Sequence, residues 1–109
     1  MQIRSGPHFL AGTSTSEVMS LDMLSPNVII TPANWTSPAN IRMLYSPDNA
    51  NFYPVYIGNR RWEMLCIPNS AIKLIMTDWP TYSFIKFESF FEDRPIVQTE
   101  ERWFQTVAS

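Results

Sequence analysis

The fold of this chain is decided by one stretch, which reads Ala39-Asn-Ile-Arg-Met-Leu-Tyr45, Ser46-Pro-Asp-Asn-Ala-Asn51 and Phe52-Tyr-Pro-Val-Tyr-Ile57. In its first part, Ile41 and Met43 alternate with Arg42 and Leu44, which is the two-residue period of a strand. A polar break follows, in which Pro47 presets a turn conformation and the adjacent Asp and Asn can bond nearby backbone groups. The last part is again aromatic and β-branched. The stretch therefore predicts a β-hairpin closed by a tight polar turn.

Similar short apolar runs recur through the rest of the chain. They are separated by Pro, Asn, Asp and Gly at intervals of roughly 8–12 residues, and no helical period is sustained. The pattern predicts an all-β fold, an antiparallel β-sandwich of the jelly-roll kind. Residues 71–76 could also form a single helical turn. The further expected strands are 17–23, 27–31, 60–67, 71–76, 82–89, 96–99 and 102–107, with a loop at 90–95.

The first 16 residues differ in composition from the rest. They contain Gly6, Pro7 and a run of small hydroxyl residues, which is typical of an irregular segment. We therefore expect an irregular N-terminal arm over residues 1–16 and a single β-sandwich domain over residues 17–109. Phe9 and Leu10 on such an arm would need another surface to bury them.

Length and charge set bounds on the class of protein. A chain of 109 residues with 45% apolar content can fill the core of one domain. Its net charge of −2 comes from residues spread along the chain, without the basic stripe that tracks a phosphate backbone. No apolar run approaches the ~20 residues that span a bilayer, and the first residues lack a signal-peptide core. We expect a soluble protein without an export signal and with neither nucleic acid nor membrane as partner.

Residues that carry catalysis or hold metals are sparse. The single histidine, His8, has no Cys, His or carboxylate at ligand spacing nearby in the sequence. The single cysteine, Cys66, lies among apolar residues, which favours a buried small hydrophobe and excludes an internal disulfide. Three glycines are too few for a phosphate-binding loop, and acidic residues in β-loops are usually solvated or paired with Arg. We predict a protein that is not an enzyme and has no metal or cofactor.

Large apolar side chains outside the expected strand cores indicate a function more clearly than the sparse catalytic or metal-binding residue types do. A free monomer seldom exposes so many, so they favour burial against other subunits. The tryptophans would also suit a carbohydrate-stacking platform, and for the two in loops, packing and partner contact both stay open. The candidate partner-contact residues are Phe9, Leu10, Trp35, Trp79, Phe90, Phe91, Trp103 and Phe104.

Several segments carry a resemblance to a known class of protein. In chain order they are Trp35-Thr36, Ile41-Arg-Met-Leu-Tyr-Ser-Pro-Asp-Asn49, Phe52-Tyr-Pro-Val-Tyr56 and Tyr82-Ser-Phe-Ile-Lys-Phe-Glu-Ser89. They resemble small β-sandwich proteins from tailed-bacteriophage structural gene clusters, in which W-T-x-A, S-x-D-G, F-x-x-V-Y and I-K-I-R-S segments recur in this order. The resemblance covers most of the chain after Ser16. It departs at Asn49, where a turn glycine is usual, and at 86–88, where the usual strand is more basic.

The resemblance implies a capsid cement, or decoration, protein of the jelly-roll type found on some short-tailed phages. Such a protein binds the outer capsid surface and ties neighbouring major-capsid subunits together. The expected partners are thus the major capsid protein and further copies of the chain, as a dimer or trimer. The expected location is the capsid exterior of the virion, assembled in the host cytoplasm. The alternative is a carbohydrate- or receptor-binding β-sandwich module of a phage tail or fibre.

Overall fold

The structure is a computed structural model that describes residues 1–21, 24–74 and 84–109. These residues form strands and irregular segments without a helix, so the expected all-β fold is confirmed for them. None of them belongs to a helix that could cross a membrane. The strands are β1 (Gln2–Phe9), β2 (Met19–Ser20), β3 (Pro26–Ile30), β4 (Asn40–Ser46), β5 (Tyr53–Pro54), β6 (Tyr56–Ile57), β7 (Arg60–Arg61), β8 (Glu63–Met64), β9 (Ala71–Lys73), β10 (Phe84–Phe91), β11 (Arg94–Pro95) and β12 (Arg102–Ala108).

The strands form two main antiparallel sheets and one separate hairpin. The four-stranded sheet has the order β1-β12-β3-β9. The larger sheet has the order β11-β10-β4-β5, with β2 paired to β10 and β8 paired to β4. The separate hairpin joins β6 to β7 through Gly58 and Asn59, with Gly58 at a φ of 64°. Glycine adopts such a positive φ without steric cost, which explains the turn at this point.

The hairpin expected within residues 39–57 is confirmed as far as residue 54, whereas Tyr56 and Ile57 leave this sheet and pair with β7. Leu44 lies opposite Pro54, and Tyr45 lies opposite Tyr53. Along β4 the alternating side chains Ile41 and Met43 are completely buried. The period that was visible in the sequence therefore marks the face of β4 that packs in the core.

The polar corner of this hairpin is organised by Asp48. Its Oδ1 accepts hydrogen bonds of 2.9 Å from the backbone N–H groups of Ala50 and Asn51 and from the Ser46 hydroxyl. Asn49 sits between them at a φ of 60°, a conformation that Asn tolerates better than most residues. The backbone donors of Asn51 and Ala50, followed by the side chains of Asn51 and Ser46, hold the pKa of Asp48 well below its usual value.

One hydrophobic cluster contains side chains from both main sheets. Ile29 enters it from the four-stranded sheet, whereas Met43 and Ile85 enter from the larger sheet. An unbroken series of aromatic rings passes through the cluster, with centroids of neighbours 5.1–6.1 Å apart. Its members are Trp35, Phe9, Phe104, Phe87 and Trp62.

Cys66 lies in the same cluster and is 3% exposed, so its expected role as a buried small hydrophobe is confirmed. Burial raises the pKa of its thiol to about 12, against a weaker opposing effect of the Thr31 side chain. At neutral pH the thiol is therefore protonated and inert.

The N-terminal segment is not the irregular arm expected from its composition. Residues 2–9 form β1, which pairs along β12, and a register shift between Ser5 and His8 accommodates the Gly and Pro between them. The chain then crosses to the larger sheet, where the backbone N–H of Ser16 donates to Phe87 and the N–H of Ser89 donates to Ser14. Residues 1–16 thus bind both sheets. The prediction from composition was wrong because a β-bulge accommodates Gly6 and Pro7 within a strand.

Three other expectations differ from the structure. The segment 90–95 is not a loop, because β10 continues to Phe91 and returns as β11 after a two-residue turn. The segment 96–99 is not a strand; Gln98 makes one isolated bridge with Thr13. The segment 60–67 divides into β7 and β8 at Trp62, which turns into the core. In the segment 71–76, residues 71–73 form the expected strand and not a helical turn, and residues 75–76 lie outside the described residues.

The turn between β10 and β11 generates a testable prediction. Glu92 and Asp93 both have positive φ, 51° and 60°, as a type I′ hairpin turn requires. Side chains with a Cβ are strained in this region by roughly 1 kcal/mol, so Glu92→Gly should stabilise the fold by about that amount. Urea unfolding measures the change. Thr99→Gly, at an exposed residue that is not at positive φ, should give no gain; an equal gain would contradict the explanation.

The Asp48 corner generates a second prediction. A carboxyl whose pKa is depressed in the folded state contributes stability that is complete above its unfolded pKa of about 4 and is lost as the pH falls toward the folded value. The stability difference between the wild type and Asp48→Asn should therefore be constant near neutral pH and shrink below about pH 4. Urea unfolding at a series of pH values tests this. A difference that stays constant down to pH ~2 would show that the charge of Asp48 is not involved.

Candidate functional site

The outward side of the four-stranded sheet carries apolar side chains that the core does not use. On β12, Phe104 and Thr106 are buried, whereas Trp103 between its neighbours is 48% exposed. On β3, Ile29 is buried and the residues on either side of it face outward, half-buried. Alternate residues of a strand face opposite sides of its sheet. The side of the four-stranded sheet that carries Phe104 and Ile29 therefore packs in the core, and the side that carries Trp103 faces outward.

Strand register shows which outward side chains are neighbours. Val107 lies opposite Ile3 on one side and opposite Val28 on the other, and this row ends at Lys73. The next row joins Ser5, Gln105, Ile30 and Ala71, and the third joins His8 to Trp103. Residues directly opposite one another share a face. We define the outer face as the apolar side chains of these rows, which are Ile3, Val28, Ile30, Ala71, Trp103 and Val107.

A charged aromatic cluster lies at the Trp103 end of the outer face, and we call it the His8 cluster; its members are His8, Glu17, Glu101 and Trp103. The imidazole of His8 stacks on the indole of Trp103 with centroids 3.8 Å apart and planes 7° apart. Nδ1 of His8 makes a hydrogen bond of 2.5 Å with Oε1 of Glu17. Nε2 lies 2.5 Å from Oε1 of Glu101, but without the geometry of a hydrogen bond. The indole N–H of Trp103 donates to the same Glu101 oxygen at 3.0 Å. The imidazole is thus enclosed, while half of the indole stays exposed.

A cleft of about 390 Å³ opens beside this cluster, lined in part by Arg4, Pro7, Val18 and Met19. Its position follows from the path of the chain, because β1 and the segment that leads into β2 form its two walls. The backbone N–H of Glu17 donates to the carbonyl of His8 at 2.7 Å and joins these walls. Among the described residues, no group of three or more His, Cys, Asp or Glu side chains could hold a metal ion.

The cluster is held from below by a buried polar network around Arg102. Its guanidinium donates to Gln98 at 3.0 Å, to Thr36 at 2.7 Å and to Glu100 at 3.0 Å. Gln98 is completely buried and in turn donates to the hydroxyl of Ser89. The network joins the loop before β12 to β10 and to the loop after β3. It fixes the start of β12, from which Trp103 projects.

A second charged group has a structural role in the larger sheet. Arg42, 8% exposed, contacts Asp93, lies 3.1 Å from Glu63 and lies 3.8 Å from Glu88. Its guanidinium also lies over the ring of Phe90, 3.8 Å from the centroid. The burial of a charge is tolerated where partners surround it in this way.

The candidate contact residues from the sequence fall into four groups. Trp103 and Leu10 are exposed, at 48% and 46%. Phe91 is half-buried, and Trp79 lies outside the described residues. The other four, although predicted as possible contacts, are core residues with at most 5% exposure, because they pack among the other rings or under Arg42: Phe9, Trp35, Phe90 and Phe104.

The sequence predicts Trp103 as a contact residue, but neither the rest of the outer face nor the other members of the His8 cluster. His8 and Glu101 are distant in the sequence and meet through the pairing of β1 with β12. Glu17 lies in the segment after β1 and is joined to His8 by a backbone hydrogen bond. One signal was available: in residues 102–108 strict alternation places Trp103 and Phe104 on opposite sides. That alternation distinguishes the surface aromatic from the core aromatic.

This distinction generates a prediction. Truncation of Phe104, which is completely buried between aromatic rings, should cost about 3–5 kcal/mol of unfolding free energy. Truncation of its half-exposed neighbour Trp103 should cost only about 1 kcal/mol. Urea unfolding of Phe104→Ala and Trp103→Ala tests both values. Equal losses in the two variants would contradict the assignment of opposite faces.

Comparisons of the chain with protein-family models, curated proteins and solved structures found no match. Its function is therefore argued from its own residues. The outer face and the adjoining His8 cluster are the surface features on which that argument depends.

Proposed function

We propose that this chain is a structural virion protein, a capsid decoration protein that binds the outer capsid surface and ties neighbouring major-capsid subunits together. The observation that carries the proposal is the outer face. Its rows extend across four neighbouring strands and contain apolar side chains around the polar Ser5 and Gln105, on a protein whose core already contains side chains from both sheets. Exposed apolar side chains grouped on one face, with polar residues among them, are typical of protein contacts.

The proposed architecture is a jelly-roll-like β-sandwich. Two antiparallel sheets that contribute to one hydrophobic cluster support it. In this arrangement the outer face lies on the side of one sheet away from the core and is open to a flat partner. A capsid shell presents many copies of such a surface.

The mechanism follows from repetition. Each copy would make a modest contact through the outer face, with Trp103 as the aromatic anchor at one end and Leu10 at the margin. Contact with two neighbouring shell subunits, together with self-association about a local two- or three-fold axis, would make each further contact intramolecular and so raise the total affinity. The His8 cluster fixes the orientation of the Trp103 indole, which lowers the entropic cost of binding.

The experiment is a binding assay on purified particles that lack the protein. Trp103→Ser combined with Ile3→Ser should reduce the number of copies bound after gradient sedimentation about tenfold, because the anchor is lost. The resistance of the particle to heat should fall in parallel. Deletion of residues 1–12 is unsuitable, because it would remove β1 and with it the buried Phe9.

The matched control is Leu65→Ser combined with Ile67→Ser. These side chains are exposed to 68% and 55% and lie outside the outer face. They should leave the bound copies unchanged. Equal loss in both pairs, or no loss in the outer-face pair, would contradict the proposal.

A glycan-binding role is the second candidate, and the His8 cluster favours it. An indole with one exposed side suits stacking on a sugar ring, and the Glu17 and Glu101 carboxylates beside it can accept hydrogen bonds from hydroxyl groups. A glycan array distinguishes the roles. Hits that are lost in Trp103→Ala would support the glycan role, whereas an array without hits, together with density for the chain on the capsid lattice, would favour decoration.

A further inference from the structure

A second cavity, also of about 390 Å³, lies at the opposite edge of the four-stranded sheet, between β9 and the segment that contains β6, β7 and β8. Its apolar wall contains Ile57, Trp62, Met64 and Leu74. Trp62 and Leu74 are almost completely buried, whereas Ile57 is 55% exposed at the rim. The cavity is large enough for one or two side chains of a ligand.

The apolar wall is held in place from both sides. The backbone N–H of Trp62 donates to the carbonyl of Val55 at 2.8 Å, and its indole lies nearly parallel to the ring of Phe87. The backbone N–H of Leu74 donates to the carbonyl of Asn27 at 2.8 Å. Because both sides are fixed by the fold, the cavity does not need a ligand to form.

Three cationic side chains line this cavity, namely Arg60, Arg61 and Lys73. None of the three makes an ion pair or a side-chain hydrogen bond within the described residues, whereas Arg42 and Arg102 each contact carboxylates. Nε of Arg61 is buried without a hydrogen-bond partner. A buried donor without a partner costs free energy that a ligand could recover.

The carboxylate already present does not neutralise these cations. Glu63 lines the cavity, but its Oε1 lies 3.1 Å from Nε of Arg42, within the group that surrounds that arginine. In a chain with a net charge of −2, the cavity is thus a local concentration of positive charge beside an apolar wall. A carboxylate attached to an apolar group would complement both features.

We propose that this cavity binds an acidic segment of a partner protein, in which a carboxylate side chain contacts Arg60, Arg61 and Lys73 and an adjacent apolar side chain packs on Trp62 and Leu74. The apolar wall favours a peptide over phosphate or nucleic acid, which would satisfy the cations but leave the wall uncovered. The proposal does not rest on the role of the outer face. It would hold for any partner that presents such a segment.

The test is an NMR titration of the ¹⁵N-labelled full chain with the peptide acetyl-Glu-Phe-Glu-Leu-amide. Shifts should centre on the indole N–H of Trp62 and the backbone N–H groups of residues 60–64 and 73–74. The affinity should be about fivefold weaker for the peptide in which both Glu are replaced by Gln, and it should fall as salt is raised from about 50 mM to about 500 mM.

Substitutions separate the cavity from general electrostatics. Lys73→Gln and Arg61→Gln should each weaken binding of the acidic peptide about fivefold. Arg94→Gln removes the same charge outside the cavity and should leave the affinity unchanged. If one of the two cavity variants folds poorly, its NMR spectrum will show this, and the other variant still tests the proposal.

Three outcomes would overturn the proposal. They are equal binding of the acidic and amide peptides, shifts centred away from Trp62, and inorganic phosphate producing the same shifts at the same concentration. The titration with the peptide does not depend on whether the outer face binds capsid. Either proposal can therefore fail while the other holds.

Discussion

The edge-to-face contact between Phe87 of β10 and Phe104 of β12 is the interaction on which the rest of the structure depends. The ring centroids are 5.4 Å apart, the planes meet at 77°, and both side chains are completely buried. β10 and β12 each have neighbours on both sides in their sheets, so this contact joins the interiors of the two sheets. Phe9 and Trp35 extend the contact on one side and Trp62 extends it on the other. Aromatic pairs in this geometry contribute beyond the area they bury.

Both candidate sites derive their geometry from this core. Trp103 projects outward because its neighbour Phe104 projects inward, and Arg102 on the other side is held by Gln98 and Thr36. At the opposite edge, Trp62 stacks on Phe87 and forms the apolar wall of the basic cavity. Rigid aromatic and hydrogen-bonded supports of this kind place surface side chains precisely. The positions of the surface side chains thus follow from which neighbouring residues are buried in the core.

The two surfaces differ in the kind of contact they can make. The outer face combines apolar side chains with the polar Ser5 and Gln105 of its middle row, and its charges lie at its ends, in the His8 cluster and at Lys73. The cavity beyond β9 is small and cationic, with an apolar wall. A flat apolar face contributes affinity through buried area, whereas a charged cavity contributes specificity and orientation. Lys73 belongs to the end of one outer-face row and also lines the cavity, so one partner could contact both surfaces.

The local patterns of the sequence predicted the strands with clear alternation. The hairpin within 39–57, β3, β12 and the all-β class could be predicted from period and turn residues, because burial of one face imposes that period on the sequence itself. The turn at Glu92 and Asp93 could not be predicted, because Glu is not typical of positive φ and no Gly or Asn accompanies Asp93 in the turn. The same holds for residues 1–16, whose Gly and Pro are typical of a loop but are accommodated by a bulge beside β12.

The candidate sites depended far more on tertiary structure. The sequence by itself determined which residues were large and apolar, and thus that some contact surface was to be expected. Only the tertiary structure decided that Phe9, Trp35, Phe90 and Phe104 are in the core while Trp103 is on the surface. It also decided that His8 meets Glu17 and Glu101, and that Arg60, Arg61 and Lys73 share a cavity. The physical reason is that these groupings arise from contacts between separate segments of the chain, such as the pairing of β1 with β12, and such contacts leave no local period in a single sequence.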